Sequence, residues 1–492
     1  MIVVPLVLLF LPLVTAMLCI LLNQRKVVEL INVIGSVFIT MTAFGVARDV
    51  FSYGPIEGWG HLIYVDALGA FIICIVAMVG LAASLYSLGY TSHEINEGEV
   101  PENRLKWYYF WFYIFMFTML LVVVVNNVGI MWVAIEGTTL ASALLVGYYD
   151  KKSSLEAAWK YIIICTVGIV FALFGTILLY YAAVPVIGEG SGALNWKTLM
   201  QAAAKLDPKI VKLAFIFILV GYGTKAGLAP MHTWLPDAHS QAPSPVSAML
   251  SGVLLNCALY GILRIHLIVS GSVGPHFSAN LLLIFGLLSI VVSLPFILVQ
   301  HDFKRLLAYS SIEHMGIITA AVGLGGKLGL YGAFLHMLNH ALAKSSLFFV
   351  AGNVTQKYKS KKIGKIKGVI KVMPVTGPAM ILGAFAIAGT PPFGIFLSEF
   401  NILSSGFAQG RYLVTGSMLV LITLVFAGMI YAFTGMALGS PPGRIKPGEP
   451  GKWSLAMVII PLILVTVLGI YIPLFIDNIL RQVVLVMTGG IL

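Results

Sequence analysis

The chain has 492 residues, 59% of them hydrophobic and only 10% charged, against about 25% charged in ordinary soluble domains. That composition excludes a soluble globular domain, since apolar runs of bilayer-crossing length, about 20 residues, recur from end to end. The net charge of +11 does not imply nucleic acid, because the basic residues sit in short connections between apolar runs, where they set membrane topology.

Splitting the chain at its polar punctuation predicts an all-α polytopic membrane protein of about fourteen transmembrane helices. The first span, 2–22, has no basic residue before it and no small-residue cleavage site, so it reads as a retained helix rather than a signal peptide. Spans two and three fall near 27–47 and 64–90, followed by the charged connection "TSHEINEGEVPENRLK". Spans four to eight fall near 107–125, 128–149, 155–184, 209–240 and 244–271. Spans nine to thirteen fall near 277–300, 304–324, 328–355, 373–408 and 412–437, and the last near 453–476, leaving a short tail.

Lysine and arginine test this count. Connections after odd-numbered spans hold Arg25, Lys26, Arg104, Lys106, Lys151, Lys152, Lys304 and Arg305, the run "KYKSKKIGKIKGVIK" (357–371), then Arg444, Lys446 and Lys452. Connections after even-numbered spans and the tail hold fewer than half as many. Both termini are therefore expected to face outward, and the lysine-rich run reads as a solvated cytoplasmic loop beside anionic lipid. Cys19, Cys74, Cys165 and Cys257 lie in apolar spans without cluster or metal spacing, and pack as small hydrophobes.

A charge at bilayer depth costs at least ~2.5 kcal/mol on insertion scales and usually faces a cavity or a partner. Glu136 stands alone in "NNVGIMWVAIEGTTLASALLVGYY" of span five. Lys225 precedes the break "GLAP" in span seven, and Glu399 follows the break "GTPP" in span twelve. Proline removes a backbone donor and opens the helix, and open backbone at membrane depth needs protein or water to satisfy it. Breaks five spans apart cross in opposite senses, as in inverted repeats of spans 4–8 and 9–13; a simple proline kink is the alternative at either break alone. "AIEG" and "SIEH" make Glu136 and Glu313 candidate counterparts. In span eleven His336, His340 and Lys344 are four residues apart and share a helical face. "HMLNH" lacks the glutamate of a zinc-protease motif, so a proton relay is better supported than a metal, with packing histidines as the alternative. His232, Asp237 and His239 line an inner mouth or cap helix ends.

The stretches "NNVGIMWVAIEGTTLASALLVG", "SLEAAWKYIIICTVGIVFALFGT", "GTKAGLAPMHTWLPDAHSQAPSPVSAMLSG", "DFKRLLAYSSIEHMG" and "HMLNHALAKSSLFF" resemble the antiporter-like subunits of respiratory complex I and related hydrogenases, a family that also supplies multisubunit sodium/proton antiporters. The resemblance covers nearly the whole chain. It implies a fourteen-helix core with inverted five-helix repeats, broken helices seven and twelve, and a midplane row of ionisable groups that moves protons while partner subunits do redox chemistry. By motif, Glu136 resembles the family glutamate and Lys225 its partner lysine; His336, His340 and Lys344 resemble the central relay, and Glu399 its terminal residue. One departure is "LLNCALYGILR", which places Asn256 where many relatives carry a lysine. His239, Glu313 or water is expected to close that gap, with His314 beside Glu313 a further polar neighbour.

The domain division that follows is 1–106, 107–271, 272–437 and 438–492. The expected role is proton translocation in a prokaryotic cell membrane, with no cofactor and no metal in this chain. Expected partners are other membrane subunits, including further antiporter-like ones and a hydrogenase or quinone-reductase arm, together with lipid and protons. A subunit of a sodium/proton antiporter without a redox arm is the alternative. A non-conducting scaffold is disfavoured by the intramembrane charges, and the long lateral helix of the largest relatives is expected to be absent.

Overall fold

Without water to satisfy backbone N–H and C=O groups, an apolar run in lipid must close its hydrogen bonds along a helix. The structure, a computed structural model, describes residues 3–443 and 445–489. Ile2 of the first expected span, Arg444 of the basic set and residues 490–492 of the expected C-terminal segment lie outside the described residues.

Helices α1 (Val3–Leu21) and α2 (Arg25–Tyr53) lead to a hairpin of β1 (Ile56–Gly58) and β2 (Ile63–Val65). Then come α3 (Ala67–Asn96), α4 (Arg104–Val124), α5 (Val128–Val146), α6 (Lys152–Ile187) and the short α7 (Trp196–Ala202). α8 (Pro208–Ala226) and α9 (Trp234–Gln241) are the two pieces of one interrupted span. α10 (Ser244–Met249) runs through a π-helical turn at Leu250–Leu254 into α11 (Leu255–Val273). α12 (Pro275–Leu298), α13 (Phe303–Leu324) and α14 (Lys327–Tyr358) follow, then the short α15 (Val369–Val372). α16 (Thr376–Ile387) and α17 (Gly394–Ala408) are a second interrupted span, before α18 (Tyr412–Ala437), α19 (Lys452–Ile470) and α20 (Leu474–Met487).

Among the described residues ten helical stretches are long and apolar enough to cross a membrane. The expected spans outside that set are 209–240, 304–324, 328–355 and 373–408. These four carry Lys225, Glu313, Lys344 and Glu399. Their polar residues are affordable only because the helices lie inside. The apolar window of Ser244–Val273 is entirely buried, whereas that of α18 is 28% buried and faces outward.

The connections fall into two sets, each hydrogen-bonded within itself. In one, Lys106 donates to Asn23 (2.8 Å), Lys359 to Glu97 (2.9 Å), Ser153 to Gln241 (3.1 Å), and the Phe303 amide to the Lys361 carbonyl (2.9 Å). In the other, the Asn126 amide donates to Leu62 (2.8 Å), Trp196 to Asn126 (2.7 Å), and Gln409 to Gly325 (3.2 Å).

The connections after spans two and six hold the hairpin and α7. Two expectations need correction. The short tail after span fourteen contains α20, whose Leu480, Val483, Val484 and Met487 are buried at helical spacing and pack toward α3 and α14. The lysine-rich run is only partly solvated: the Lys361 amine donates to the Ser240 hydroxyl (2.9 Å), and burial pushes that ammonium below its usual range against the pull of Asp302.

Candidate ion-translocation site

Both helix interruptions end on a glycine in the left-handed region, where a side chain would be strained. Gly227 (φ 75°) closes α8, and Gly389 (φ 72°) follows α16, where a Cβ would collide with the Glu399 carboxylate. The opened backbone is satisfied by protein. The Ala229 amide donates to Ser289 Oγ (2.9 Å), and Trp234 Nε1 to the Thr224 carbonyl (2.8 Å). Freed from helical continuity, the last turn of α8 points Lys225 into the interior.

Lys225 is fully buried, and its ammonium donates to Thr139 Oγ1 (2.8 Å) and Tyr161 Oη (2.6 Å). It also stands 4.6 Å from the centroid of the Tyr161 ring, close enough for a cation–π contact. Tyr161 is held in turn by Ser142 (2.7 Å). Glu136 does not touch Lys225. Thr139 stands between them, donating to Glu136 Oε2 (3.2 Å), while Thr166 donates to Oε1 (3.0 Å). Glu136 is only half-buried, on an α5 face that also exposes Val133 and Leu140.

The second cluster is buried throughout. Lys344 donates to the Leu307 carbonyl (2.8 Å), and Glu313 lies within Coulombic reach of it. Glu313 Oε2 is 3.4 Å from His314 Nε2. His314 Nδ1 shares a proton with His336 Nε2 at 2.9 Å, and His336 Nδ1 meets Ser398 Oγ at 2.9 Å. His340 lies 5.1 Å from His314, ring to ring, and neither of its nitrogens has a partner among the described residues. Glu399, one residue beyond Ser398, is buried and lies within the field of Glu313. His314, His336 and Glu399 could offer a metal three ligand atoms within 4.8 Å of one another, but an ion would have to displace the proton bonded between the two imidazoles.

Between the clusters, Ser251 in the π turn meets Ser311 (2.7 Å), which bonds the same Leu307 carbonyl that holds Lys344. Asn256 donates to Gly252 (2.8 Å) within that turn, and its Oδ1 is free among the described residues. His239 is fully buried against Phe348 (5.0 Å between rings), with both nitrogens unpartnered among the described residues. The remaining two expected mouth residues lie apart. His232 packs near Tyr309, and Asp237 pairs with Arg305 and Lys160 at the connecting face. Sequence reasoning missed the hydroxyls of Thr139, Tyr161, Thr166 and Ser398, whose only signal was polarity within apolar runs. It also missed Arg264, which forms a buried bidentate pair with Asp66 (2.6 and 2.6 Å).

Residues 125–427, which contain both clusters, match the family described as NADH:quinone oxidoreductase/Mrp antiporter, transmembrane. The chain belongs to this family. It is 42% identical over 418 residues to the hydrogenase-4 component F homolog of Methylacidiphilum infernorum, covering 84% of this chain and 86% of that one. Hydrogenase-4 component F is also the protein whose pattern the five quoted motifs share. The fold matches a chain of the membrane-bound sulfane sulfur reductase, an archaeal respiratory membrane complex, with TM-score 0.87 at 24% identity, over 99% of both chains. It matches a chain of the Mrp complex of Dietzia sp. with TM-score 0.86 at 17% identity, over 98% and 97%. This family member is thus an antiporter-like, multi-pass membrane protein, similar to subunits of multisubunit complexes.

Proposed function

We propose that this chain is a proton-translocating subunit of a complex I-related or membrane-bound hydrogenase-type respiratory complex, in a prokaryotic cell membrane and without a cofactor of its own. Its protons move along Glu136, Lys225, His239, Glu313, His314, His336, His340, Lys344 and Glu399. The observation that carries this is Lys225, a buried ammonium held by two hydroxyls, with Thr139 linking it to a carboxylate at the protein flank. A structural lysine would be paired directly; one bridged through a hydroxyl is sensitive to what happens at Glu136.

Neutralising or drawing away Glu136 removes stabilisation from the Lys225 cation and lets its proton leave. A nearby opposite charge is worth roughly 1.4–4 kcal/mol, and moving one charge across 100 mV costs about 2.3 kcal/mol. The magnitudes are commensurate, so one such event can drive one proton. Fourteen crossings in two inverted repeats, 107–271 and 272–437, flanked by 1–106 and 438–492 and with both termini outward, are part of this reading. The two self-bonded sets of connections, the basic bias of one set and the glycine-closed interruptions five spans apart support it.

A sodium/proton antiporter subunit is the second reading, favoured by the fold shared with the Mrp complex. The test is proton uptake by membrane vesicles carrying the assembled complex. Lys225→Ala and Glu136→Ala each abolish uptake while the partners still assemble; uptake at the unmutated rate in both would overturn the proposal.

A further inference from the structure

On the face that gathers the basic connections, a cavity of about 940 Å³ opens between α3, α9, α13 and the loop after α14. Seven of its lining side chains are basic and three acidic, so a cation approaching it meets a net positive field. Two of the ten are not on the rim. Glu94 and Lys304 are each only 5% exposed. Tyr149, itself bonded to Tyr90 (2.8 Å), donates to Glu94 Oε1 (2.5 Å), and Glu94 Oε2 has no partner among the described residues. The Lys304 ammonium donates to the Ala242 carbonyl at the end of α9 (2.6 Å). Counted in the sequence among the basic residues that mark topology, Lys304 is buried at the floor of the cavity.

That floor leads inward. Lys304 and Glu94 line the same cavity, and His239 stacks on Phe348, one helical turn from Lys344 on α14. His239 sits three residues before Ala242 and has both ring nitrogens free among the described residues. A half-satisfied carboxylate and a lysine held out of direct contact with it make a poor structural lock, because burying either costs more than their loose attraction returns. They make a good place to take up a proton.

We propose that Glu94 and Lys304 form a proton-selective loading site, beneath a net-positive vestibule, that feeds His239 and through it Lys344. Glu94 takes a proton from vestibule water; the Lys304 ammonium gives a proton to a ring nitrogen of His239, and the neutral amine so formed takes the proton from Glu94, leaving the carboxylate ready for the next. Sodium must arrive as a cation and is repelled by the rim, whereas a proton is handed over from water already inside. This inference rests on the proposed function and adds the proton's point of uptake and the exclusion of sodium there.

The experiment measures proton uptake and sodium dependence in vesicles carrying the assembled complex, with Lys225→Ala run in parallel. Glu94→Gln, which keeps shape and can still accept from Tyr149, is expected to lower uptake about 100-fold, at the lower end of what a lost proton-transfer group costs. Glu94→Asp retains an acid and is expected to keep more than about half the rate, and Lys304→Met to lose as much as Glu94→Gln. Lys362→Glu with Lys365→Glu, both exposed on the rim, leaves folding intact and is expected to let sodium slow uptake about twofold or more. Replacing sodium by choline should leave the unmutated complex unchanged. Glu94→Gln at the unmutated rate, Glu94→Asp as slow as Glu94→Gln, or a sodium requirement would each overturn the loading site. If Lys225→Ala alone abolishes uptake, the loading site fails and the proposed function stands; if Lys225→Ala is also silent, the proposed function itself fails.

Discussion

The clusters around Lys225 and Lys344 hold the same cation by different means. Lys225 is held by two side-chain hydroxyls, and its nearest acid, Glu136, is half-buried at the protein flank. Lys344 is held by a backbone carbonyl, with its acids and imidazoles all inside. A hydroxyl both donates and accepts, so Thr139 can report a change at Glu136 to Lys225. A carbonyl cannot be reset in this way; under the proposed function the Lys344 cluster works instead through linked imidazoles that gain and lose protons in turn. On that proposal the first cluster is perturbed from outside and the second conducts.

That contrast can be broken experimentally. Beyond the loss already expected of Lys225→Ala and Glu136→Ala, the largest effect is expected from His336→Phe, which removes the hydrogen bond to His314 while keeping a ring of similar size; proton uptake by the assembled complex should fall about 100-fold, at the lower end of what a lost proton-transfer group costs. Uptake within a few-fold of normal would mean that the imidazole chain only packs. Thr139→Val is isosteric and deletes the bridge between Glu136 and Lys225. A hydrogen bond to a charged group is worth about 1.5–3 kcal/mol, so uptake should drop roughly tenfold or more; a silent Thr139→Val would show that Glu136 acts on Lys225 through space. The smallest effect belongs to Asn256→Ala, between the clusters. The Asn256 amide is tied to Gly252 in the π turn, so about 1 kcal/mol of thermal stability should be lost, with uptake changed less than about twofold. A large loss of uptake there would make Asn256 part of the path and blur the division between the clusters.

Much of the site was legible beforehand because lipid penalises polarity so heavily. Glu136, Lys225 and Glu399 stood out as lone charges in apolar runs, and "GLAP" and "GTPP" marked where α8 and α16 stop. His336, His340 and Lys344 shared a face by spacing alone, and all three are buried. The spacing did not show that His336 would bond His314 rather than His340, since that depends on how α13 packs against α14. Lys304 shows a related limit: positive charge beside a span signals topology on average, and only packing shows that this one lies under a vestibule. α20 was missed because its pattern is amphipathic and too short to span.

The amino-acid sequence by itself determined that the chain crosses a bilayer many times, where its helices are interrupted, and which positions carry charge at depth. These follow from one-dimensional rules, because every exposed polar group in hydrocarbon costs energy wherever it stands. The tertiary structure alone decided that Thr139 stands between Glu136 and Lys225, that His314 and His336 are hydrogen-bonded, and that Glu94 and Lys304 line one basic cavity. Such arrangements gather residues from different helices, and helix rotation and packing, not spacing along the chain, bring them together.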